Sequence, residues 1–345
     1  MATTQSSGRT RWQGVFIAVL TVGLLWLSLR NSALGDVWSA LKRAHVGWIV
    51  LATVVTMQTF LIRAWRWQAL LVPIGRARFS VAFRATIIGF TASFLLPARI
   101  GEVLKPYLLA RREGFNAAAT FATVIVERLL DLLTVLLLFG LAIALTDVKI
   151  SPNIQTAGLV AAVAAVAATV VLFILAGHPE RLGRWAAWWT RPLPARVARV
   201  LTNFVETFAQ GLAVMRSPWQ LVIGFAWSFP LWASIALGIW FTSRAFDLTF
   251  PFIGSFLVTG YLSVGVAAPT PGAAGGFHYA YQMAVIQSFG APPAAATAAS
   301  FVLHAISFVP VTLLGLLYMW QDGLTLGGLK DLKAEAQSSQ ERPTP

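Results

Sequence analysis

The sequence predicts an all-α polytopic membrane protein with about six full spans plus two re-entrant helical hairpins, or eight spans if each hairpin counts as crossing, built as an inverted repeat. Three observations predict this class. The 345 residues are 57% hydrophobic and 11% charged, with a mean hydropathy of +0.71, which leaves too few charges to keep a globular surface in water. Apolar stretches recur along the whole chain, some reaching the roughly 20 residues of a helical crossing and some falling short. Finally, Ala117-Ala118-Ala119-Thr120 returns as Ala294-Ala295-Ala296-Thr297, 177 residues later, each copy opening a long apolar helix behind a Pro/Gly-broken segment.

Taken in order, the stretch 15–29 follows Arg9 and Arg11 like a signal peptide, but it ends Trp26-Leu27-Ser28-Leu29-Arg30 with no small-residue cleavage site and is expected to stay as an anchor. A second apolar stretch covers 46–62. The third, 81–96, lies between two basic clusters: Arg63, Arg66, Arg76, Arg78 and Arg84 before it, Lys105, Arg111 and Arg112 after it. One crossing here would put a basic cluster outside, against the positive-inside tendency, whereas a re-entrant hairpin over 83–109 keeps both on one side. Stretches 117–145 and 156–176 are comfortable spans. Arg181, Arg184, Arg191, Arg196 and Arg199 then mark a cytoplasmic connector over 178–218, with an amphipathic helix in 196–215 and Trp185, Trp188 and Trp189 at headgroup depth. After the span 221–242, the segment 252–289 carries no Asp, Glu, Lys or Arg and is broken by Pro269, Pro271, Gly272, Gly275 and Gly276. It is expected to be a second hairpin, entering from the outside, before the final span 294–320.

These elements form one expected transmembrane domain over 1–320, with repeat 1 at 46–146, repeat 2 at 219–320 and both termini in the cytoplasm. An odd number of spans separates the repeats, which makes them inverted, a recurrent transporter design. The polar segment 331–345 is expected to be disordered. Cysteine is absent, so disulfides, thiolate metal sites and cysteine nucleophiles are excluded, and no cofactor or metal is expected. The net charge of +13 resides in short loops rather than on one soluble face, which points to topology and anionic lipid heads instead of nucleic acid.

Charges inside apolar stretches cost at least about 2.5 to 3.5 kcal/mol each, so they are the first functional candidates. In Leu96-Pro97-Ala98-Arg99-Ile100-Gly101-Glu102, proline and glycine free backbone groups that are tolerated at membrane depth only in protein or a wet cavity. Arg99 could grip a phosphate through two parallel hydrogen bonds, Lys105 would add a point charge, and Glu102 would pair with an arginine or accept from a headgroup. The plainer alternative is an Arg99–Glu102 pair that staples the hairpin. Glu127 and Asp131, four residues apart, share a helix face, with Arg128 about 100° away. They are expected to line the same cavity or to brace the two halves. Arg63 lies one turn deeper than Arg66, for which snorkelling to the interface is the plainer expectation. In the second hairpin, Thr270, the backbone at Gly272, and His278 complete the set of candidate binding residues, although a lone histidine such as His278 or His304 is more often a hydrogen-bonded structural group.

Together, Arg63-x-x-Arg66-Trp67, Leu96-Pro97-x-Arg99-x-Gly101-Glu102, Glu127-Arg128-x-x-Asp131 and Pro269-x-Pro271-Gly272 resemble, in this order, the flippase-like membrane family named after the transmembrane region of lysylphosphatidylglycerol synthase. The similarity covers roughly 48–320. It implies an inner-membrane protein with inverted, broken helices that binds or moves lipids with polar heads. Full-length synthases add a soluble aminoacyl-transferase domain, and none is expected after Trp320. The chain departs from the family pattern at Ala273 and His278, where a glycine and a glutamate are expected, and this weakens the case for an aminoacyl-lipid substrate. The leading expectation is therefore a non-enzymatic lipid flippase whose partners are anionic or phosphate-bearing membrane lipids. A membrane transferase acting on a lipid-linked substrate is the alternative, with Asp36, Asp147 and Asp247 as sparse acid/base candidates in outward loops, and an envelope scaffold is the third reading.

Overall fold

A computed structural model describes residues 18–30, 32–96, 99–146, 148, 152–177, 217–267 and 270–324, together with 188–190, 198, 202, 205, 207, 208, 211 and 212. Regular structure among the described residues is helical throughout. In chain order the helices are α1 (Ala18–Leu29), α2 (Leu34–Arg43), α3 (Val46–Leu71), α4 (Phe79–Leu95), α5 (Gly101–Glu113), α6 (Ala117–Leu145), α7 (Pro152–Gly177), α8 (Pro218–Ala245), α9 (Gly254–Ala267), α10 (Gly276–Phe289) and α11 (Pro293–Gln321). A 3₁₀ turn, Pro271–Ala273, separates α9 from α10.

Local chemistry sets these limits. Asn116 caps α6, its side-chain oxygen accepting from the backbone N–H groups of Ala118 (2.9 Å) and Ala119 (3.2 Å), two donors the helix leaves orphaned. Helices α8 and α11 open on Pro218 and Pro293, where a missing N–H costs nothing. Helices α5 and α10 stop at Gly114 and Gly290, both in the left-handed region that a Cβ disfavours.

Five helices, α3, α6, α7, α8 and α11, are long and apolar enough to cross a membrane, and α1 with α2, bent by 74°, qualifies as a sixth, broken span. By contrast, the 17 residues of α4 and the 14 of α9 extend about 26 and 21 Å at 1.5 Å per residue, short of a bilayer core of roughly 30 Å. Each instead folds back on its successor. The α4/α5 and α9/α10 pairs close through glycine: a Cβ on Gly101 would strike the Gly89 carbonyl, and one on Gly265 would strike that of Gly276. Helices α8 to α11 begin about 175 residues after α3 to α6, in the same order and with similar lengths.

The two sets interlock. Helix α3 packs along α8, while α4 lies on α11 and α9 lies on α6, so each short pair rests on the long helix of the other set. The largest apolar core gathers Phe139, Phe256, Leu257, Tyr261, Tyr281 and Leu303 from α6, α9, α10 and α11. Leu159, Val163, Val166, Val170 and Phe173 of α7 remain exposed, as lipid-facing side chains should.

One expected boundary changes. The second apolar stretch was expected to end at Ile62, but α3 continues to Leu71, carrying Arg63, Arg66 and Trp67 inside the helix. Of the connector, Phe208 and Leu212 pack with α6 residues Val126 and Leu129, and Trp188 and Trp189 are exposed; the remainder lies largely outside the described residues. So do Pro97, Asp147, Pro269 and the segment 331–345.

Candidate functional site

Helical spacing places Arg63 and Arg66 on one face in the C-terminal third of α3, opposite Glu127 and Asp131 near the middle of α6. Arg66 is fully buried. Its Nη1 donates to Asp131 Oδ1 (2.6 Å) and Ser228 Oγ (2.9 Å), and its Nη2 donates to Glu127 Oε1 (3.1 Å). On the far side Lys105 Nζ donates to Glu127 Oε2 at 2.6 Å and sits 4.2 Å from the Trp67 ring centroid, an ammonium held by a carboxylate and a π face. Trp67 is itself fixed by an Nε1–H bond to Thr123 Oγ1 (3.0 Å). Arg128 Nη2 reaches Glu127 Oε1 (3.2 Å) and Asp131 Oδ2 (3.5 Å), and Trp232 Nε1 donates to Asp131 Oδ1 (3.0 Å). Arg63 is the loosest member, with Nη1 3.8 Å from Asp131 Oδ2 and its guanidinium 5.0 Å over Phe90. The cluster ties α3, α5, α6 and α8 together.

Beside this cluster lies a cavity of about 170 Å³, whose polar lining is Ser93, Arg99, Glu102, Lys105, Arg128 and Thr270 and whose aromatic lining is Phe90, Phe94 and Phe308. The first short helix pair supplies most of the charge. Arg99, between α4 and α5, adopts φ 49°, a left-handed conformation that costs a non-glycine residue about 1 to 3 kcal/mol. Its Nη2 donates to the Val266 carbonyl of α9 at 2.6 Å, while Nη1 lies 3.7 Å from Glu102 Oε1. Arg99 thus both staples its own hairpin and ties it to the other, and its side chain stays 52% exposed.

The second pair contributes backbone and one hydroxyl. Thr270 Oγ1 is buried with no hydrogen-bond partner, and Gly272, at φ 57°, exposes main chain to the cavity. The Gly272 carbonyl accepts from His304 Nε2 (2.8 Å). His278 Nδ1 accepts from the Gly275 N–H (3.2 Å) and its ring stacks on His304, centroids 4.7 Å apart. A second cavity, also about 170 Å³, is mostly apolar and shares Phe90, Phe94 and Phe308 with the first; Arg63 borders it.

Of the candidates read from sequence, Arg99, Glu102, Lys105, Arg128, Thr270 and Gly272 all line the first cavity. Glu127 and Asp131 stand behind its wall, as counter-charges rather than lining. Arg63 borders the neighbouring cavity instead. His278 is a correction: it caps α10 and packs in an aromatic stack away from the lining, because its Nδ1 satisfies a backbone donor at the kink. Arg66 is a second correction. It turns inward instead of snorkelling, because two buried carboxylates on the facing helix outbid interfacial phosphates for its guanidinium. The i,i+3 spacing with Arg63, set against an i,i+4 carboxylate pair elsewhere in an apolar helix, was a signal that could have found it. Nothing in the sequence marks Ser228, Trp232 or Ser93.

A UPF0104 membrane protein of Methanothermobacter thermautotrophicus is 24% identical over 324 residues, covering 88% of this chain and 94% of that protein. Glycosyltransferase AglD of Haloferax volcanii is 28% identical over 131 residues, which is 38% of this chain but 20% of AglD. Residues 12–315, including every helix of the charged cluster and its cavity, match the family described as the Lysylphosphatidylglycerol synthase TM region. The chain is a multi-pass membrane protein that belongs to the Lysylphosphatidylglycerol synthase TM region family.

Proposed function

We propose that this protein binds the phosphate-bearing headgroup of a membrane lipid in the cavity between its two short helix pairs and carries it across the bilayer. The observation that supports this reading is a cavity lined by Arg99, Lys105 and Arg128 at the meeting point of two interrupted helices, each resting on the long helix of the other set. Intramembrane cations facing a cavity recognise anions far better than they serve packing. Arg99 has an exposed guanidinium able to rotate from the Val266 carbonyl onto a phosphate, and Arg128 offers a second from α6. The two interlocked sets are the moving parts, inverted with respect to each other, one rocking against the other about α3 and α8. On this reading the protein sits in an inner membrane with Arg76, Arg78, Arg111 and Arg112 on the cytoplasmic side, where positive loops accumulate. Reconstituted protein should raise the fraction of a fluorescent anionic phospholipid exchanged between liposome leaflets. Distribution indistinguishable from protein-free liposomes overturns translocation.

The partial likeness to a glycosyltransferase favours a second reading, a membrane transferase acting on a lipid-linked substrate. Glu102 is the carboxylate on the cavity lining and would serve as its acid or base. Incubation with a lipid-linked sugar and an acceptor lipid tests it, with new glycolipid lost in Glu102→Gln as the supporting result.

A further inference from the structure

The charges around the cavity do not cancel. Among the described residues, Arg63, Arg66, Arg99, Lys105 and Arg128 face Glu102, Glu127 and Asp131, five cations against three anions, a local excess of two positive charges at membrane depth. The hydrogen-bond inventory carries the same surplus. Arg63 Nη1, Arg66 Nε and Arg128 Nε are buried donors without a hydrogen bond, while Asp131 Oδ2 is the one buried carboxylate oxygen of the cluster that lacks one; of these donors, Arg128 lies on the cavity lining. Thr270 Oγ1 adds a further unpartnered hydroxyl on the cavity wall. Uncompensated charge in a low-dielectric site demands a counter-charge, and burial makes each unit count more than in water.

From this surplus we infer that the occupant of the cavity is a doubly charged phosphate monoester, in preference to a singly charged phosphodiester, a zwitterionic headgroup or a cationic aminoacylated one. A monoester carries about −1.5 to −2 at neutral pH, which matches the charge excess, and three terminal acceptor oxygens for the donors on the cavity lining, Arg99, Arg128 and the unpartnered Thr270 hydroxyl. A diester brings one charge and two such oxygens. An aminoacylated phosphodiester would add an ammonium to a site that already holds two cations too many. The inference rests on the headgroup-binding reading above for the location of the ligand, but not on translocation.

The test uses the full chain in neutral detergent, stripped of lipid, with binding read by native mass spectrometry at pH 8. The probes share acyl chains: phosphatidic acid, phosphatidylglycerol, phosphatidylcholine and lysylphosphatidylglycerol. Phosphatidic acid should bind at least about tenfold tighter than phosphatidylglycerol, with the other two weaker still. Equal or tighter binding of phosphatidylglycerol, or of the zwitterionic or cationic headgroup, overturns the inference. Inorganic phosphate is the second arm: failure to displace phosphatidic acid assigns the site to a lipid, while displacement at equal concentration assigns it to free phosphate and overturns a lipid occupant.

Two variants shift the excess in opposite directions. Arg63→Gln lowers it by one and should bring the two anionic lipids close to parity. Glu102→Gln raises it by one, at an exposed side chain whose loss leaves the buried cluster intact, and should widen the ratio at least threefold. An unchanged ratio in Glu102→Gln overturns the inference even where Arg63→Gln does not fold. Protein that selects phosphatidic acid but exchanges no lipid between leaflets refutes translocation alone, whereas exchange without charge selection refutes the charge inference alone.

Discussion

Arg63 and Arg66 are one helical turn apart, yet the structure assigns them opposite energetic roles, and replacing each by methionine separates the two. Methionine keeps an unbranched apolar stem as far as the position of the arginine Nε and removes the charge and all donors. Arg66→Met deletes three hydrogen bonds from a charged donor, two to carboxylates and one to the Ser228 hydroxyl, worth about 1.5 to 3 kcal/mol each. Against that loss, the guanidinium no longer has to be desolvated, and neither carboxylate is orphaned. Lys105 and Arg128 still hold Glu127, and Trp232 and Arg128 still hold Asp131. The net cost should therefore fall near the lower end of the 3 to 5 kcal/mol typical of breaking a buried pair, at about 3 kcal/mol. Arg63→Met removes a guanidinium whose buried Nη1 has no hydrogen bond and whose nearest carboxylate oxygen is 3.8 Å away. Its cost in the lipid-free protein should stay below about 1 kcal/mol, since the lost attraction is offset by relief of an unpaired buried donor. Unfolding of both variants in detergent micelles, compared with wild type, measures the difference. Equal destabilisation, or a larger effect of Arg63→Met, refutes the partition of roles within the cluster.

Three further outcomes follow from the same geometry. Gly101→Ala should destabilise by about 1 to 3 kcal/mol, because its Cβ would meet the Gly89 carbonyl and part α4 from α5, whereas Gly140→Ala, with open space at its Cβ, should be neutral or stabilising by up to about 1 kcal/mol; thermal unfolding compares them. Arg99→Gly removes a left-handed strain of about 1 kcal/mol or more while deleting the contact to Val266, so stability should hold while phospholipid binding falls at least about tenfold by native mass spectrometry. His278→Ala should cost about 1 kcal/mol through the lost cap on Gly275 and leave lipid selectivity unchanged, and a changed selectivity in a well-folded variant would restore His278 to the binding site.

Much of the architecture was legible in the order of the residues. Charge flanking the stretch 81–96 forbade a simple crossing, and α4 is indeed too short to span and folds back onto α5. The sequence copy at Ala294 falls at the start of α11, as Ala117 opens α6. The candidate site was legible where charge had to be explained, as at Arg99, Glu102, Lys105 and Arg128. It was not legible at Ser93, Ser228 or Trp232, because a serine or tryptophan in an apolar helix costs too little to attract notice. The end of α3 was misplaced for a related reason: arginine reads as an exit from the membrane until its partners on another helix are known.

By itself, the sequence determined that this chain lies in a membrane, which segments can cross it and where expensive charges interrupt them. Those are properties of local composition and length, fixed by transfer free energy before any helix meets another. Which charges neutralise one another was decided by tertiary structure alone. Arg66, Glu127 and Asp131 became a closed bracing set, Arg63 was left underpaired, and Arg99 and Arg128 turned toward a cavity. Pairing depends on which faces of α3, α5, α6 and α8 come within a few ångströms, and no spacing along one helix encodes the rotation of another.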